Sequence, residues 1–326
     1  VDSLWIGNLL GESAYAALTA ATPILLLLNS IAMGATNGVA ILLSQAIGAG
    51  ETRRTRTILF TSFILSIVFS LGMTGLLEGM VSPLLRFLQV PSELYEMTCL
   101  YLRIYLIGYG AVYLYCYFAA VLRSFGDTVF QMLAMLVCTV LNGALDPLLI
   151  HGFGLQGAAA ATVLSQGICL GFMVCYLRKK ALFSFHAADW SGKELGTICL
   201  KSLPAAFQQS IPAISTSVLT AIVSGFGVTA LAAYGVAGKL ELLLFYPAMS
   251  FQMVLTTIVG QCIGAGRHDR AWVYCKTALL WGGGLLIILS CGVVGLAHPL
   301  SELFVDSKAV AEVVAGYFQV VSVGYL

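Results

Sequence analysis

Ser44-Gln45-Ala46-Ile47-Gly48-Ala49-Gly50 returns 216 residues later as Gly260-Gln261-Cys262-Ile263-Gly264-Ala265-Gly266. Working outward, Gly11, Ala14, Ala16, Ala17, Ala32, Met33 and Arg54 recur at the same offset as Gly227, Ala230, Ala232, Ala233, Ala248, Met249 and Arg270. Pro83, Tyr101, Gly108 and Tyr109 are matched by Pro299, Tyr317, Gly324 and Tyr325. An ungapped match of this length exceeds what helix composition alone produces, so the chain reads as two homologous bundles. Each repeated stretch is a helix end, where glycine relieves a left-handed exit and the following arginines sit in an aqueous loop. Neither copy closes with the Gly-Lys-Ser/Thr of a phosphate loop, so no nucleotide site is expected.

The 326 residues are 59% hydrophobic and 10% charged, with a mean hydropathy of +0.94. Soluble domains carry about 25% charged residues, which excludes a water-soluble protein. Runs of about 20 apolar residues can span a bilayer. After a short piece at 1–10, spans are expected near 17–45, 58–81, 98–122, 129–150 and 157–177. Others follow near 203–226, 231–261, 273–297 and 310–326. Backbone polar groups inside lipid must be satisfied internally, and runs of this length make them helices. The fold class is an all-α polytopic membrane protein of two homologous six-helix bundles, the second incomplete. The expected domains are 1–180, a polar linker at 181–201, and 202–326. Both ends fall abruptly, in Val1-Asp2-Ser3-Leu4-Trp5 and Val323-Gly324-Tyr325-Leu326, as expected of an incomplete copy of a longer protein.

Charge sets the orientation. Arg53, Arg54, Arg56, Arg123, Arg178, Lys179, Lys180, Lys193, Lys201, Arg267, Arg270 and Lys276 fall in one set of alternating loops; the other holds Arg86, Arg103 and Lys308. Twelve against three places the first set in the cytoplasm. Both repeats then share one orientation, the parallel-repeat pattern of certain transporters. The net charge of +1 says nothing about nucleic acid, but there is no basic patch of the kind its binding needs, and no nucleic-acid partner is expected. The nine cysteines include no C-x-x-C pair and read as apolar packing residues. Enzyme signatures such as H-E-x-x-H and G-x-S-x-G are absent, and no enzyme is expected.

One apolar run carries a functional signal. In Val140-Leu141-Asn142-Gly143-Ala144-Leu145-Asp146-Pro147, Asn142 and Asp146 are four apart and share a helix face. Pro147 withholds an N–H from the Gly143 carbonyl. A carboxylate placed there costs roughly 2.5–3.5 kcal/mol or more and usually marks an ion or proton pathway. The alternative is a structural acid beside a proline kink. Tyr101, Tyr105, Tyr109, Tyr113 and Tyr117 recur every fourth residue. Their stripe is either an aromatic wall for cationic drugs, at about 0.5–2 kcal/mol per contact, or interhelical packing, which is the favoured reading. Glu241 is an intramembrane acid open to either a cationic substrate or a structural salt bridge. Lys239 stands two residues before it, off its face.

Val1-Asp2-Ser3-Leu4-Trp5-Ile6-Gly7, both Gln-x-Ile-Gly-Ala-Gly copies, Leu122-Arg123-Ser124-Phe125-Gly126-Asp127-Thr128 and the Asn142/Asp146 stretch running into Gly157-Ala158-Ala159-Ala160-Ala161-Thr162 carry a family resemblance. Together they resemble the multidrug and toxic compound extrusion (MATE) transporters, in the prokaryotic branch related to the DNA-damage-inducible F protein. The resemblance implies a twelve-helix fold in two lobes, of which this chain holds the end of helix 1 to part of helix 10. It implies ion coupling by Asp2, Asn142, Asp146 and Thr162, with Asp2, Asn142 and Asp146 as ligands if the ion is sodium. A glutamate found in helix 7 of some branches is absent from Pro204-Ala205-Ala206-Phe207-Gln208-Gln209-Ser210-Ile211-Pro212. Tyr105, Tyr109, Tyr113, Gln208 and Glu241 are the candidates for the substrate cavity.

The expected function is a monomeric multidrug exporter of the cytoplasmic membrane, exchanging amphipathic organic cations for H⁺ or Na⁺ by alternating access. It needs no cofactor beyond the coupling ion. A lipid-linked oligosaccharide flippase would share the fold but needs a basic cavity, and a receptor or scaffold would need no coupling ion.

Overall fold

The computed structural model describes residues 5–6, 9–10, 12–87, 90, 92–180, 190–224, 228–295 and 308–321. The chain forms two compact units, Val1–Ala213 and Ile214–Leu326. Its described elements are almost all helices. The first unit holds α1 (Glu12–Gly48), α2 (Thr52–Phe87), α3 (Ser92–Ile107), α4 (Tyr109–Ser124), α5 (Thr128–Phe153) and α6 (Leu155–Lys179). Helix α7 (Gly192–Ser224) runs through the junction, and α8 (Val228–Gly264), α9 (His268–Gly295) and α10 (Lys308–Val321) belong to the second unit. Among the described residues five helices are long and apolar enough to cross a membrane, and α3 with α4 passes the same test as a pair bent by 48°.

In the first unit α4 lies centrally, packed against α1, α2, α5 and α6. One face of α1, carrying Ala32, Val39, Leu43 and Ala46, is buried among these helices. Helix α5 shows the division a lipid-facing helix requires. Val129, Met132, Leu136, Val140 and Leu148 point outward, whereas Ala134, Asp146 and Ile150 are buried. In the second unit α8 packs against α9 and α10.

The repeat is visible in the backbone. At the end of α1, Gly50 stands at φ 70°, its N–H donating to the Ile47 carbonyl at 3.0 Å and that of Glu51 to Ala46 at 3.1 Å. At the end of α8, Gly266 stands at φ 69°, with Gly266 donating to Ile263 at 3.0 Å and Arg267 to Cys262 at 2.9 Å. These are two copies of one helix-terminating motif, which only glycine enters freely.

Two features differ from the sequence expectation. The span expected at 98–122 is broken at Gly108, where α3 and α4 meet at 48°. At the break the chain packs against α6: the Val163 methyl groups occupy the space where a Cβ of residue 108 would stand, so the position accepts only glycine. The second concerns the linker expected at 181–201. Residues 181–189 lie outside the described residues, and the chain is helical from Gly192. The first half of α7, expected with the carboxy-terminal lobe, stands with the first unit. The reason is close backbone packing: a Cβ on Gly38 would lie 2.5 Å from the Ser202 Cα, and one on Gly34 2.5 Å from the Ala205 carbonyl oxygen.

Candidate functional site

Asp146 is fully buried in the first unit. It sits on α5 one residue before Pro147, inside a helix that stays continuous to Phe153. The shared face expected for positions 142 and 146 is present. The Asn142 Nδ2 donates to Asp146 Oδ1 at 3.5 Å and to Thr162 Oγ1, on α6, at 3.3 Å. Both contacts are long for N–H···O bonds, so the amide is a loose bridge that a small displacement could break. Carboxylate, amide and hydroxyl are hard donors, a set that suits a proton or an alkali or alkaline-earth ion and not a soft metal.

The tight α5–α6 turn makes this meeting possible. Gly154 takes φ 61° between the helices. Three residues on, Gly157 lies directly against the Leu149 backbone, with the place of its absent Cβ occupied by the Leu149 carbonyl. This close approach sets the register that levels Thr162 with Asn142. One turn further along α6, the Gln166 Oε1 is buried with no hydrogen-bond partner among the described residues, and the Ser165 hydroxyl donates to the Thr162 carbonyl at 2.9 Å. Sequence reading missed Gln166, although its position four residues after Thr162 places it on the same side of the helix.

The other end of the α5–α6 pair is tied by a group that sequence reading also missed. Asp127 caps α5, its Oδ1 accepting from the Phe130 N–H at 3.3 Å. Its Oδ2 accepts from the Tyr176 hydroxyl at 2.6 Å and from Lys180 Nζ at 2.8 Å. The Tyr176 ring stacks on Phe130 at 3.6 Å and 4°. The hydrogen bonds from Lys180 and Tyr176 hold the Asp127 carboxyl below the usual carboxylate range, and the bond to Asp127 raises the Lys180 ammonium. A lowered carboxyl favours the folded state at any pH above its ordinary value of about 3.9 and loses that contribution as pH falls through the lowered folded value. Asp127→Asn keeps an N-cap but removes the titration. Its melting temperature is expected to lie below wild type at neutral pH and to converge with it below about pH 4, as a pH series of thermal melts would read.

Asp2 lies outside the described residues. Tyr105, Tyr109 and Tyr113 are buried at 4%, 0% and 4% exposure. The Tyr105 hydroxyl donates to Asn29 Oδ1 at 3.3 Å, that of Tyr109 to the Leu28 carbonyl at 3.0 Å, and that of Tyr117 to the Leu59 carbonyl at 2.8 Å. These partners fit the packing reading of the stripe. Gln208 is exposed on α7. In the second unit Glu241 accepts a 2.7 Å hydrogen bond from the Tyr317 hydroxyl of α10. At the corresponding positions of the first copy stand Leu25 and Tyr101, so the acid belongs to the second copy alone. Among the described residues no group of three or more His, Cys, Asp or Glu side chains could hold a metal ion.

Residues 1–148 and 204–326 match the MatE family. The probable multidrug resistance protein YpnP of Bacillus subtilis is 30% identical over 273 residues, covering 83% of this chain and 61% of that protein. The FAD transporter of Shewanella oneidensis is 28% identical over 342 residues, covering 99% of this chain and 74% of its own length. Among solved structures, a mutant of the Vibrio cholerae MATE transporter VcmN superposes with a TM-score of 0.92 at 23% identity, covering 99% of this chain and 74% of that one. An outward-facing multidrug resistance MATE transporter gives 0.89 at 24% identity with the same coverages. The chain thus spans between about three fifths and three quarters of the length of these relatives.

Proposed function

The chain belongs to the MatE family of multi-pass membrane transporters, and on that premise we propose that it is a secondary active exporter of drug-like organic cations, driven by inward movement of H⁺ or Na⁺. The observation that carries this reading is Asp146, a carboxylate with no exposure, bridged through Asn142 to Thr162. An acid buried in a membrane helix is costly and marks an ion path by default. Binding of the coupling ion neutralises Asp146 and changes what Asn142 must satisfy. If the ion is sodium, the amide presents its oxygen beside the carboxylate and the Thr162 hydroxyl. An ion drives a switch only through a difference in its affinity for two states, and a bridge of two long hydrogen bonds is readily made in one state and broken in the other. Transport then follows alternating access, with Asp2 completing the ion site and Glu241 available to a cationic substrate.

The test uses everted vesicles carrying the intact gene product, with a fluorescent organic cation and an imposed proton or sodium gradient. Accumulation that follows one gradient and collapses with the matching ionophore names the ion. A second arm supplies FAD, the substrate in the name of the Shewanella relative. Gradient-driven uptake of FAD with none of any cation would replace the proposed substrate class with a dinucleotide. In the same assay Thr162→Val is expected to slow uptake by about two- to tenfold, the range of one hydrogen bond worth ~0.5–1.5 kcal/mol. An unchanged initial rate would remove Thr162 from the site.

A further inference from the structure

We infer that the seam between α1 and the first half of α7 is a gate on the cytoplasmic side, with Asn37 and Ser202 as its gating residues. The seam is built without interlocking side chains. Gly34 and Gly38 form a G-x-x-x-G pair on the face of α1 turned away from Ala32, Val39 and Leu43, and both lie against the backbone of α7 between Lys201 and Ala206. Small residues four apart let two helices approach to backbone contact. Such a surface is smooth, and it can part and re-form without any side chain changing rotamer.

The polar groups distinguish a gate from a permanent anchor. Asn37 lies one turn from Gly34 on the same side of α1, and its Oδ1 is buried with no hydrogen-bond partner among the described residues. Ser202, whose backbone meets Gly38, has a buried hydroxyl that also lacks one, and so does Oε2 of Glu194, two turns nearer the start of α7. Permanent helix contacts satisfy or exclude such oxygens, because each buried unpaired one opposes the closed state. In a seam that opens to water they are hydrated for part of the cycle. They disfavour closure and keep the open state within reach.

At its outer edge the seam is fastened by bonds that water can exchange. Arg54 Nε donates to Glu194 Oε1 at 3.0 Å with the arginine side chain 44% exposed, and the Ser191 N–H donates to Thr61 Oγ1 at 3.3 Å. Around that edge stand the exposed Arg53, Arg56, Lys193 and Lys201, whose charge assigns it to the cytoplasm. The second sequence copy has Ser250, Met253 and Val254 at the positions of Gly34, Asn37 and Gly38. The device is therefore particular to α1.

This inference rests on the exporter reading only in needing a two-state cycle, and its test needs no known substrate. In everted vesicles the cytoplasmic face is outward, and a membrane-impermeant maleimide reaches it. The reporters are the thiols introduced by Ser202→Cys and, separately, Ala205→Cys, each followed by peptide mass spectrometry, with the buried native Cys169 as the unreactive control. The labelling rate is expected to change about ninefold if an imposed proton or sodium gradient moves the open population between ~10% and ~90%. Equal rates with and without either gradient, at both positions, would overturn the gate. Responsive labelling without cation uptake would leave the gate standing and overturn the exporter reading. Uptake with unresponsive labelling would do the reverse.

Discussion

Asp146→Asn is expected to reduce gradient-driven accumulation of the organic cation to passive equilibration while leaving the protein folded. The magnitude follows from thermodynamics. Exchange of one monovalent cation for one proton is electroneutral, so only the pH difference drives it, and each unit supplies about 1.4 kcal/mol, or a tenfold concentration ratio. The variant binds no coupling proton, and its ratio falls to about one whatever gradient is imposed, because an ion without differential affinity for the two states moves nothing. Asparagine has the shape of aspartate, and Asp146 is fully enclosed. Replacing a buried carboxylate by a neutral amide also removes a desolvation penalty, so the melting temperature should equal or exceed that of wild type. Wild-type accumulation in the variant would show that coupling resides elsewhere.

Gly157→Ala is expected to lose stability and transport together, where Asp146→Asn loses transport alone. One added methyl group would overlap the Leu149 carbonyl and stand 2.7 Å from the Ile150 nitrogen. Backbone cannot swing aside as a flexible side chain can, so α6 must move away from α5. Overpacking of this kind typically costs about 1–3 kcal/mol, occasionally more. The displacement also acts on the site. Asn142 and Thr162 already meet at 3.3 Å, near the limit of a useful hydrogen bond, and a shift of a few tenths of an ångström parts them. Thermal melts should show a midpoint several degrees lower, and vesicle uptake should be lost at temperatures where the protein remains folded. A variant with wild-type stability would mean that the α5–α6 register is not set at this glycine.

Much of this was legible from one dimension because lipid removes the usual ambiguities. Apolar runs of fixed length located the long helices. The 216-residue offset located both glycine-terminated ends, down to the left-handed Gly50 and Gly266. Asn142 and Asp146 could be paired because four residues is a helix turn, whereas Thr162 came only from family resemblance, since no local rule levels residues 20 apart. The contacts that sequence could not supply are the distant ones. Gly108, where the span breaks, is packed against Val163 on another helix. Tyr317 lies 76 residues from the Glu241 it bonds, and Lys180 53 from Asp127. The tyrosine periodicity was plain, but the Leu28 and Leu59 carbonyls that receive the hydroxyls lie on other helices.

The α5–α6 pair is fastened at both ends. Asp127 with Tyr176 and Lys180 closes one, and the Gly154 turn with Gly157 against Leu149 closes the other. A beam held at both supports cannot slide or pivot as a whole; under load it buckles at its weakest cross-section. Here that section is the turn before Pro147, where a rung of the helical ladder is missing. Any motion set off by neutralising Asp146 should therefore appear as a bow in the middle of α5, with both supports standing still. The excursion of the arch, and not its footing, would then set how far the coupling ion can reach into the rest of the bundle.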